Sequence, residues 1–260
     1  MKKRTDYLDP TLDIVFKAGN ELKNRFGHAI ITKFKENDDL RTNADIWVEE
    51  FIYKKLKEYY PLHGFDSEEN IREKLDADYV WILDPIDGTK FFFQGVIPIY
   101  SISLALKFNN IIVQGIVYLP ETNQLFYASS YKNVGAKMNG LKITCSTEKE
   151  LEEMTLAIEF PSRNQPEILI DNAHEIYLKL YKKVKRIRNF GVGSVTLCYC
   201  AMGGFDSYLN LSSIRKHYDY AAGRVIVEMA GGKYSETEQM LIAGNKENLE
   251  AIIDFIGKIG

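Results

Sequence analysis

Two aspartates, Asp84 and Asp87, lie in the stretch Trp81-Ile82-Leu83-Asp84-Pro85-Ile86-Asp87-Gly88-Thr89-Lys90, directly after an apolar run from Tyr79 to Leu83. The run reads as a buried strand with the acids at its end. Pro85 lacks an N–H and has a fixed φ, so it is expected to end a central strand. Gly88 admits a sharp turn that other residues resist, and Thr89 can cap whatever follows. Two ionised carboxylates in a partly buried turn repel each other unless a cation sits between them. Hard cations such as Mg²⁺ take oxygen ligands of this kind and hold phosphate oxygens at their open positions. The plainer alternative is an Asx-rich surface turn, which would not need a buried strand ahead of it.

Three further acids could reach the same place. Glu68, in Ser67-Glu68-Glu69, precedes Asp84 by a span long enough for a loop and a return strand. Asp219 opens Asp219-Tyr220-Ala221-Ala222-Gly223, a helix start whose small residues allow close approach and whose N–H groups favour phosphate. Read singly, Asp219 is an N-terminal capping acid. Asp45 lies in the first turn of a helix that Thr42 or Asn43 can cap, where the helix dipole alone accounts for a negative charge.

The elements that must position these acids change in texture along the chain. Leu12, Val15, Phe16, Gly19, Leu22 and Phe26 recur at helical spacing. Lys33–Arg41 is polar, turn-rich and expected to be mobile. A second helix buries Val48, Ile52, Leu56 and Tyr59 and ends at Pro61. Phe91-Phe92-Phe93 forms a helical turn closed by Gly95, then Ser101–Lys107, Ile111–Tyr118 and Gln124–Ala128 read as strands. Asn139-Gly140 signals a hairpin. Past Cys145 strands and helices alternate: Thr155–Phe160, Glu167–Tyr181, Val184–Arg188, Val195–Met202, Phe205–Leu211, Tyr220–Ala230 ending at Gly231-Gly232, Leu241–Ala243 and Lys246–Ile259. The expectation is an α+β metal-binding half with an antiparallel sheet over 1–142. An α/β half over 143–260 would complete the site.

Composition narrows the function classes. The 260 residues are 45% hydrophobic and 12% aromatic, enough for a full core. A net charge of −3 argues against general nucleic-acid binding, which favours a basic face. Cys145, Cys198 and Cys200 form no CxxC pair, which suits buried thiols in a reducing compartment. The basic N-terminus precedes no apolar signal region, and no run approaches the ~18 apolar residues of a membrane span. A soluble, cytoplasmic protein is expected. Serine-hydrolase, P-loop and HExxH patterns are absent.

With the motifs taken together, the chain resembles the inositol monophosphatase family of metal-dependent, lithium-sensitive phosphatases. The hallmarks are Trp81 to Thr89 and Asp219 to Gly223, the latter leading into Glu228-Met229-Ala230-Gly231-Gly232. Thr42-Asn43-Ala44-Asp45, Ser67-Glu68-Glu69, Gly135-Ala136, Asn139-Gly140 and Gly193-Ser194 support it in the same order. The resemblance implies a layered αβαβα sandwich of the inositol monophosphatase/fructose-1,6-bisphosphatase type, commonly a homodimer. It implies two to three Mg²⁺ ions, with Mn²⁺ as a possible substitute, and a small phosphorylated substrate. Glu68, Asp84 and the Ile86 carbonyl would hold the first metal. Asp84 would bridge to a second, held also by Asp87 and Asp219, and a weaker third would sit near Glu68 through water. Asp45 and Thr89 would orient and deprotonate the attacking water, and the Gly88 and Thr89 N–H groups would hold phosphate. Gly193, Ser194, Asn210 and Asp219 would face the substrate. Lys35 stands where many relatives carry a lysine on a mobile loop; a solvated charge among Lys33, Lys35 and Glu36 fits equally well.

The sequence departs from that pattern in places that bear on substrate. Tyr218-Asp219 replaces the usual Trp-Asp, a change that metal binding should survive. Asn210 stands where inositol-specific relatives carry an acid, and Phe190 where they carry an arginine. Ser212–His217 is one residue longer than in those relatives. These features weaken the case for myo-inositol 1-phosphate. Lys90 is similar to histidinol-phosphate and bisphosphate-nucleotide phosphatases, and Gly95 with Pro98-Ile99-Tyr100 to prokaryotic enzymes that accept fructose 1,6-bisphosphate. The basic run Lys179–Arg188 could serve a second phosphate, but the end of a helix and an edge strand is the better account. His217 suits a substrate contact or a surface position equally. The alternative class is a regulatory protein that keeps the fold, since some bacterial relatives are linked to RNA processing.

Overall fold

The computed structural model describes residues 7–35, 39–131 and 134–257. The N-terminal part opens with α1 (Leu8–Lys23), a hairpin of β1 (Ile31–Phe34) and β2 (Leu40–Thr42), and α2 (Asn43–Tyr59). There follow β3 (Gly64–Ser67), β4 (Arg72–Glu73), β5 (Tyr79–Asp87), α3 (Thr89–Gln94) and β6 (Ser101–Phe108). The part closes with β7 (Ile111–Leu119), β8 (Gln124–Ser129), β9 (Gly135–Met138) and β10 (Leu141–Lys142). The strands from β3 on form an eight-stranded sheet in the order β10-β9-β8-β7-β6-β5-β3-β4. It is antiparallel except where β3 runs parallel to β5.

Three local expectations change here. The Lys33–Arg41 stretch, read as a polar loop, pairs Lys33 with Arg41 and Phe34 with Leu40. Buried Leu40 anchors that hairpin; positions 36–38 of the stretch lie outside the described residues. Pro85 does not end β5, which continues to Asp87. The pairing with β6 breaks register between Asp84 and Asp87, so Pro85 and Ile86 fall in an irregularity where no ladder N–H is required of proline. Phe16, expected on the buried face of α1, is 40% exposed.

The second part comprises β11 (Thr155–Glu159), α4 (Glu167–Tyr181), β12 (Arg186–Arg188), α5 (Gly193–Ala201) and β13 (Ser207–Asn210). It ends with α6 (His217–Met229), β14 (Lys233–Glu236), β15 (Leu241–Gly244) and α7 (Lys246–Gly257). The five strands order as β12-β11-β13-β15-β14, with β11 parallel to β12 and β13. Strand β14 escapes sequence reading because Lys-Tyr-Ser-Glu lies on a sheet edge with no fully buried residue. The run Lys179–Arg188 is the end of α4 and the edge strand β12, with Lys183 and Lys185 paired to Glu152 and Glu153. Among the described residues no helix is long and apolar enough to cross a membrane.

Three hydrophobic clusters mark the spaces between five layers. Helices α1 and α2 pack on one face of the large sheet through Val15, Leu22, Val48, Ile52, Trp81 and Leu104. Helices α5 and α6 lie between the two sheets, with Val195, Leu197, Ile226 and Val227 against Val117, Phe126 and Tyr208. Helices α4 and α7 cover the outer face of the small sheet through Ala173, Leu180, Leu249 and Ile252. Strand β6 is buried on both faces for this reason, although its sequence alternates. A Cβ on Gly115 of β7 would come within 2.4 Å of the Ala222 carbonyl oxygen of α6. Glycine there sets the depth at which the helix carrying Asp219 meets the sheet. Gly115→Ala is therefore expected to cost about 1–3 kcal/mol. A thermal melt within a degree of wild type would contradict this.

Candidate active site

The parallel pairing of β3 with β5 places Ser67 opposite Leu83, and the Glu68 N–H donates to the Leu83 carbonyl at 3.0 Å. Glu68 thus arrives directly beside Asp84. The turn after it is held by buried Glu49 of α2, whose Oε1 accepts from the N–H groups of Asn70 and Ile71 at 2.8 and 3.0 Å. The first turn of α6 supplies Asp219. One carboxylate oxygen from each of Glu68, Asp84 and Asp219 lies within 4.8 Å of the others.

The remaining acids are each held in place. Asp87 Oδ2 accepts the Ser194 N–H at 2.8 Å, which ties the end of β5 to the start of α5. Asp45 forms a reciprocal cap on α2: its Oδ2 accepts from the Thr42 N–H at 2.7 Å, while Thr42 Oγ1 accepts from the Ala44 N–H. The other oxygen of Asp45 lies 3.3 Å from the Thr89 hydroxyl, which also donates to the Ile86 carbonyl at 2.7 Å. Asp45 is thus both a helix cap and a site residue. Gly88, with φ of 89°, makes the turn that brings Thr89 there.

Burial dominates the electrostatics. It pushes Asp45 and Asp87 up to about 6. Burial, then the neighbouring Glu68, Asp87 and Asp219 charges, drive Asp84 well above the carboxylate range. Asp219 is raised by burial and by Asp87 and Glu68. Burial works to raise Glu68 as well, but the Lys216 and Lys35 ammonium groups hold it below the usual range. Lys216 Nζ donates to Glu68 at 2.7 Å and to Asp39 at 3.1 Å; Lys35 Nζ donates to Glu68 at 3.1 Å and also to Glu69.

A cleft of about 470 Å³ is lined by Glu68, Asp84, Ile86, Asp87, Gly88, Thr89 and Asp219, with Asp39, Lys90, Phe91, Gln94, Gly191 and Lys216 around them. The structure therefore gathers every expected acid, with Asp45 just behind Thr89. Lys35 is no solvated charge: its side chain is 18% exposed and paired with Glu68 and Glu69. Gly193 and Ser194 lie beneath the cleft rather than on its wall. The Ser194 N–H is given to Asp87, and its hydroxyl shares a hydrogen bond with that of Ser101 at 2.7 Å. Phe190 packs against Tyr199 and Phe205, leaving Gly191 at the rim. His217 is exposed and bonded to Asp66 at 2.9 Å. Asn210 lines a separate recess next to the cleft. Lys216 and Asp39 escaped the sequence reading, because a lysine before an aromatic and an aspartate in a polar stretch carry no pattern of their own.

The donor set suits a hard divalent cation: oxygen atoms only, most of them buried, carrying more negative charge than the two lysines balance. Without a cation, the folded chain retains protons on Asp45, Asp87, Asp84 and Asp219 that the unfolded chain releases near their common starting value of 3.8. The folded state then binds more protons than the unfolded one, so these groups lower metal-free stability as pH rises from about 4 through 6 and beyond. A cation that binds the ionised acids should stabilise most where those protons would otherwise be lost. The gain in Tm from Mg²⁺ is expected to be larger at pH 8 than at pH 5, as read from thermal melts against EDTA controls. Equal gains would contradict the cluster as the binding site.

The model of the inositol monophosphatase family matches residues 4–252. The chain is 31% identical over 267 residues to a fructose-1,6-bisphosphatase/inositol-1-monophosphatase of Aquifex aeolicus, covering 98% of this chain and 96% of that one. It is 34% identical over 232 residues to a putative Nus factor SuhB of Neisseria meningitidis, covering 86% of each. Among solved structures, a Thermotoga maritima IMPase superposes with a TM-score of 0.84 at 28% identity, over 98% of both chains. The SuhB extragenic suppressor protein of Bartonella henselae gives 0.87 at 26% identity, over 96% of this chain and 98% of that one. The layered sandwich, the motifs and these matches agree: the chain belongs to the inositol monophosphatase family.

Proposed function

We propose that the protein is a Mg²⁺-dependent phosphomonoesterase that transfers the phosphoryl group of a small phosphorylated polyol or sugar to water. The observation that carries this reading is the convergence of Glu68, Asp84 and Asp219 within 4.8 Å beside the Asp45–Thr89 pair. Glu68, Asp84, Asp87, Asp219 and the Ile86 carbonyl are the groups that would hold two to three Mg²⁺ ions, or Mn²⁺ in their place. Bound Mg²⁺ supplies Lewis acidity that eases ionisation of water and offsets charge on the phosphoryl oxygens. The Thr89 hydroxyl stands between the Ile86 carbonyl and Asp45, placed to accept a proton from the attacking water while passing its own to Asp45. An Asp45 carboxyl raised to about 6 suits a general base near neutrality. Gly88 and Thr89 line the cleft and offer backbone N–H groups to the phosphate. The 1–142 half carries most of the acids in this reading, and the 143–260 half completes the site with Asp219. We also propose a homodimer in a reducing compartment, which suits three free, buried thiols.

A second reading follows from the relatives named Nus factor SuhB: a regulatory role on the same scaffold. Phosphate release separates the two. Sugar, inositol, histidinol and nucleotide monophosphates are assayed with Mg²⁺ and with EDTA. Metal-dependent turnover of at least one supports the enzyme. Silence across the panel, with Mg²⁺ shown to bind, would leave the regulatory reading.

A further inference from the structure

Helix α2 buries Val48, Ile52 and Leu56 along one stripe, and Glu49 sits on that stripe at 1% exposure, although its neighbour Glu50 is exposed. A carboxylate on a core-facing stripe is costly unless its oxygens are hydrogen-bonded. Its partners are backbone groups of a distant segment. Glu49 Oε1 accepts both the Asn70 N–H at 2.8 Å and the Ile71 N–H at 3.0 Å. An apolar side chain there would leave both donors facing hydrocarbon.

Those donors belong to the turn that carries Glu68. The Ser67 N–H donates to the Ile71 carbonyl at 3.0 Å, which closes the turn between β3 and β4. One side of it is tied to β5, where the Leu83 carbonyl accepts the Glu68 N–H at 3.0 Å. Arg41 Nη1 donates to Asn70 Oδ1 at 2.8 Å from β2. Glu49 supplies the tie to α2. One helical turn before it, on the same face, stands Asp45, whose carboxylate lies 3.3 Å from the Thr89 hydroxyl. A single helix face thus reaches both the Asp45–Thr89 pair and the turn that bears Glu68.

We propose that Glu49 is a positioning residue: by gripping the Asn70 and Ile71 N–H groups, it holds Glu68 in the place where it groups with Asp84 and Asp219. It touches neither cation nor substrate. The inference rests on the reading of that cluster as a cation site and on no particular substrate. The acceptor oxygen matters here and the charge does not, so an uncharged side chain with an oxygen in the same place serves equally.

The test measures Mn²⁺ dissociation constants by calorimetry on the full chain, for wild type, Glu49→Gln and Glu49→Leu. In Glu49→Gln the amide oxygen can take both N–H groups, and the constant is expected to stay within about threefold of wild type. In Glu49→Leu both donors lose their acceptor. The constant is expected to rise by about 10–100-fold, the usual cost of removing a group that orients a metal ligand. Phosphate release gives a second readout. In Glu49→Leu the Mg²⁺ concentration for half-maximal rate should rise in parallel, while kcat at saturating Mg²⁺ stays within about threefold of wild type. A side chain with a purely structural role would lower the Tm of Glu49→Leu and leave the dissociation constant unchanged. A leucine variant within about twofold of wild type, or a glutamine variant as weak as the leucine one, would overturn the inference. Should Glu49→Leu fail to fold, Glu49→Asp draws the oxygen back by one methylene. Its constant is expected to rise at least about tenfold, and an unchanged constant overturns the inference. Binding is read without turnover, so a wild type that binds Mn²⁺ but releases no phosphate would overturn the phosphatase reading alone. A wild type that binds no Mn²⁺ would overturn both.

Discussion

Asp84→Asn is expected to abolish most phosphate release, with kcat/KM lower by on the order of a thousandfold, while raising the Tm of the metal-free protein. The first effect follows from position. Asp84 feels the charges of Glu68, Asp87 and Asp219 and groups with Glu68 and Asp219 around one candidate cation position, so its carboxylate is central to any shared cation. Losing it forfeits the several kcal/mol that Lewis-acid stabilisation supplies. The second effect follows from charge. Asp84 is buried among other acids, and each neighbour disfavours its ionised form. The amide removes that repulsion, and its oxygen can still accept the Ile86 N–H that Asp84 Oδ1 takes at 3.0 Å. Kinetics with saturating Mg²⁺ and melts in EDTA read the two effects separately. Near-wild-type turnover would refute the metal assignment. A lower metal-free Tm would refute the account of strain among the acids.

Asp45→Asn carries the other large expected effect, and it differs in kind. The asparagine oxygen can still accept the Thr42 N–H and hydroxyl, so α2 keeps its cap and the cost in stability stays under about 2 kcal/mol. The NH₂ group would then face Thr89, where an acceptor is needed. The rate is expected to fall by about 10²–10⁴-fold, the usual contribution of a positioned base. The Tm gain from Mg²⁺ should survive in this variant and be lost in Asp84→Asn. If Asp45→Asn abolished the Mg²⁺ gain as well, Asp45 would be a ligand and not the base.

Much of this site was legible because its acids sit where secondary structure changes. Asp84 and Asp87 follow an apolar run, Asp45 follows a cap, and Asp219 opens a helix. What the residues could not reveal singly was that the cap also stands behind the cleft; the approach of Thr89 to 3.3 Å is what joins Asp45 to the site. Pairing across strands was hidden for a similar reason. Glu68 reaches Asp84 through a parallel neighbour, and that register is not written in local spacing. Pro85 misled because its usual strand-ending role assumes a regular ladder, and β5 breaks register at that point. Lys35 and Lys216 were opaque because a lysine's partner depends on how distant segments fold over it. Their shared hold on Glu68 is a tertiary fact.

The account rests on a cation held by acids drawn from β3, β5 and α6. Anomalous diffraction from crystals soaked in Mn²⁺ tests it most directly. The expected result is manganese bound by carboxylate oxygens of Glu68, Asp84 and Asp219, with Lys35 and Lys216 displaced from Glu68. Manganese found only elsewhere, with both lysines still bonded to Glu68, would contradict the account.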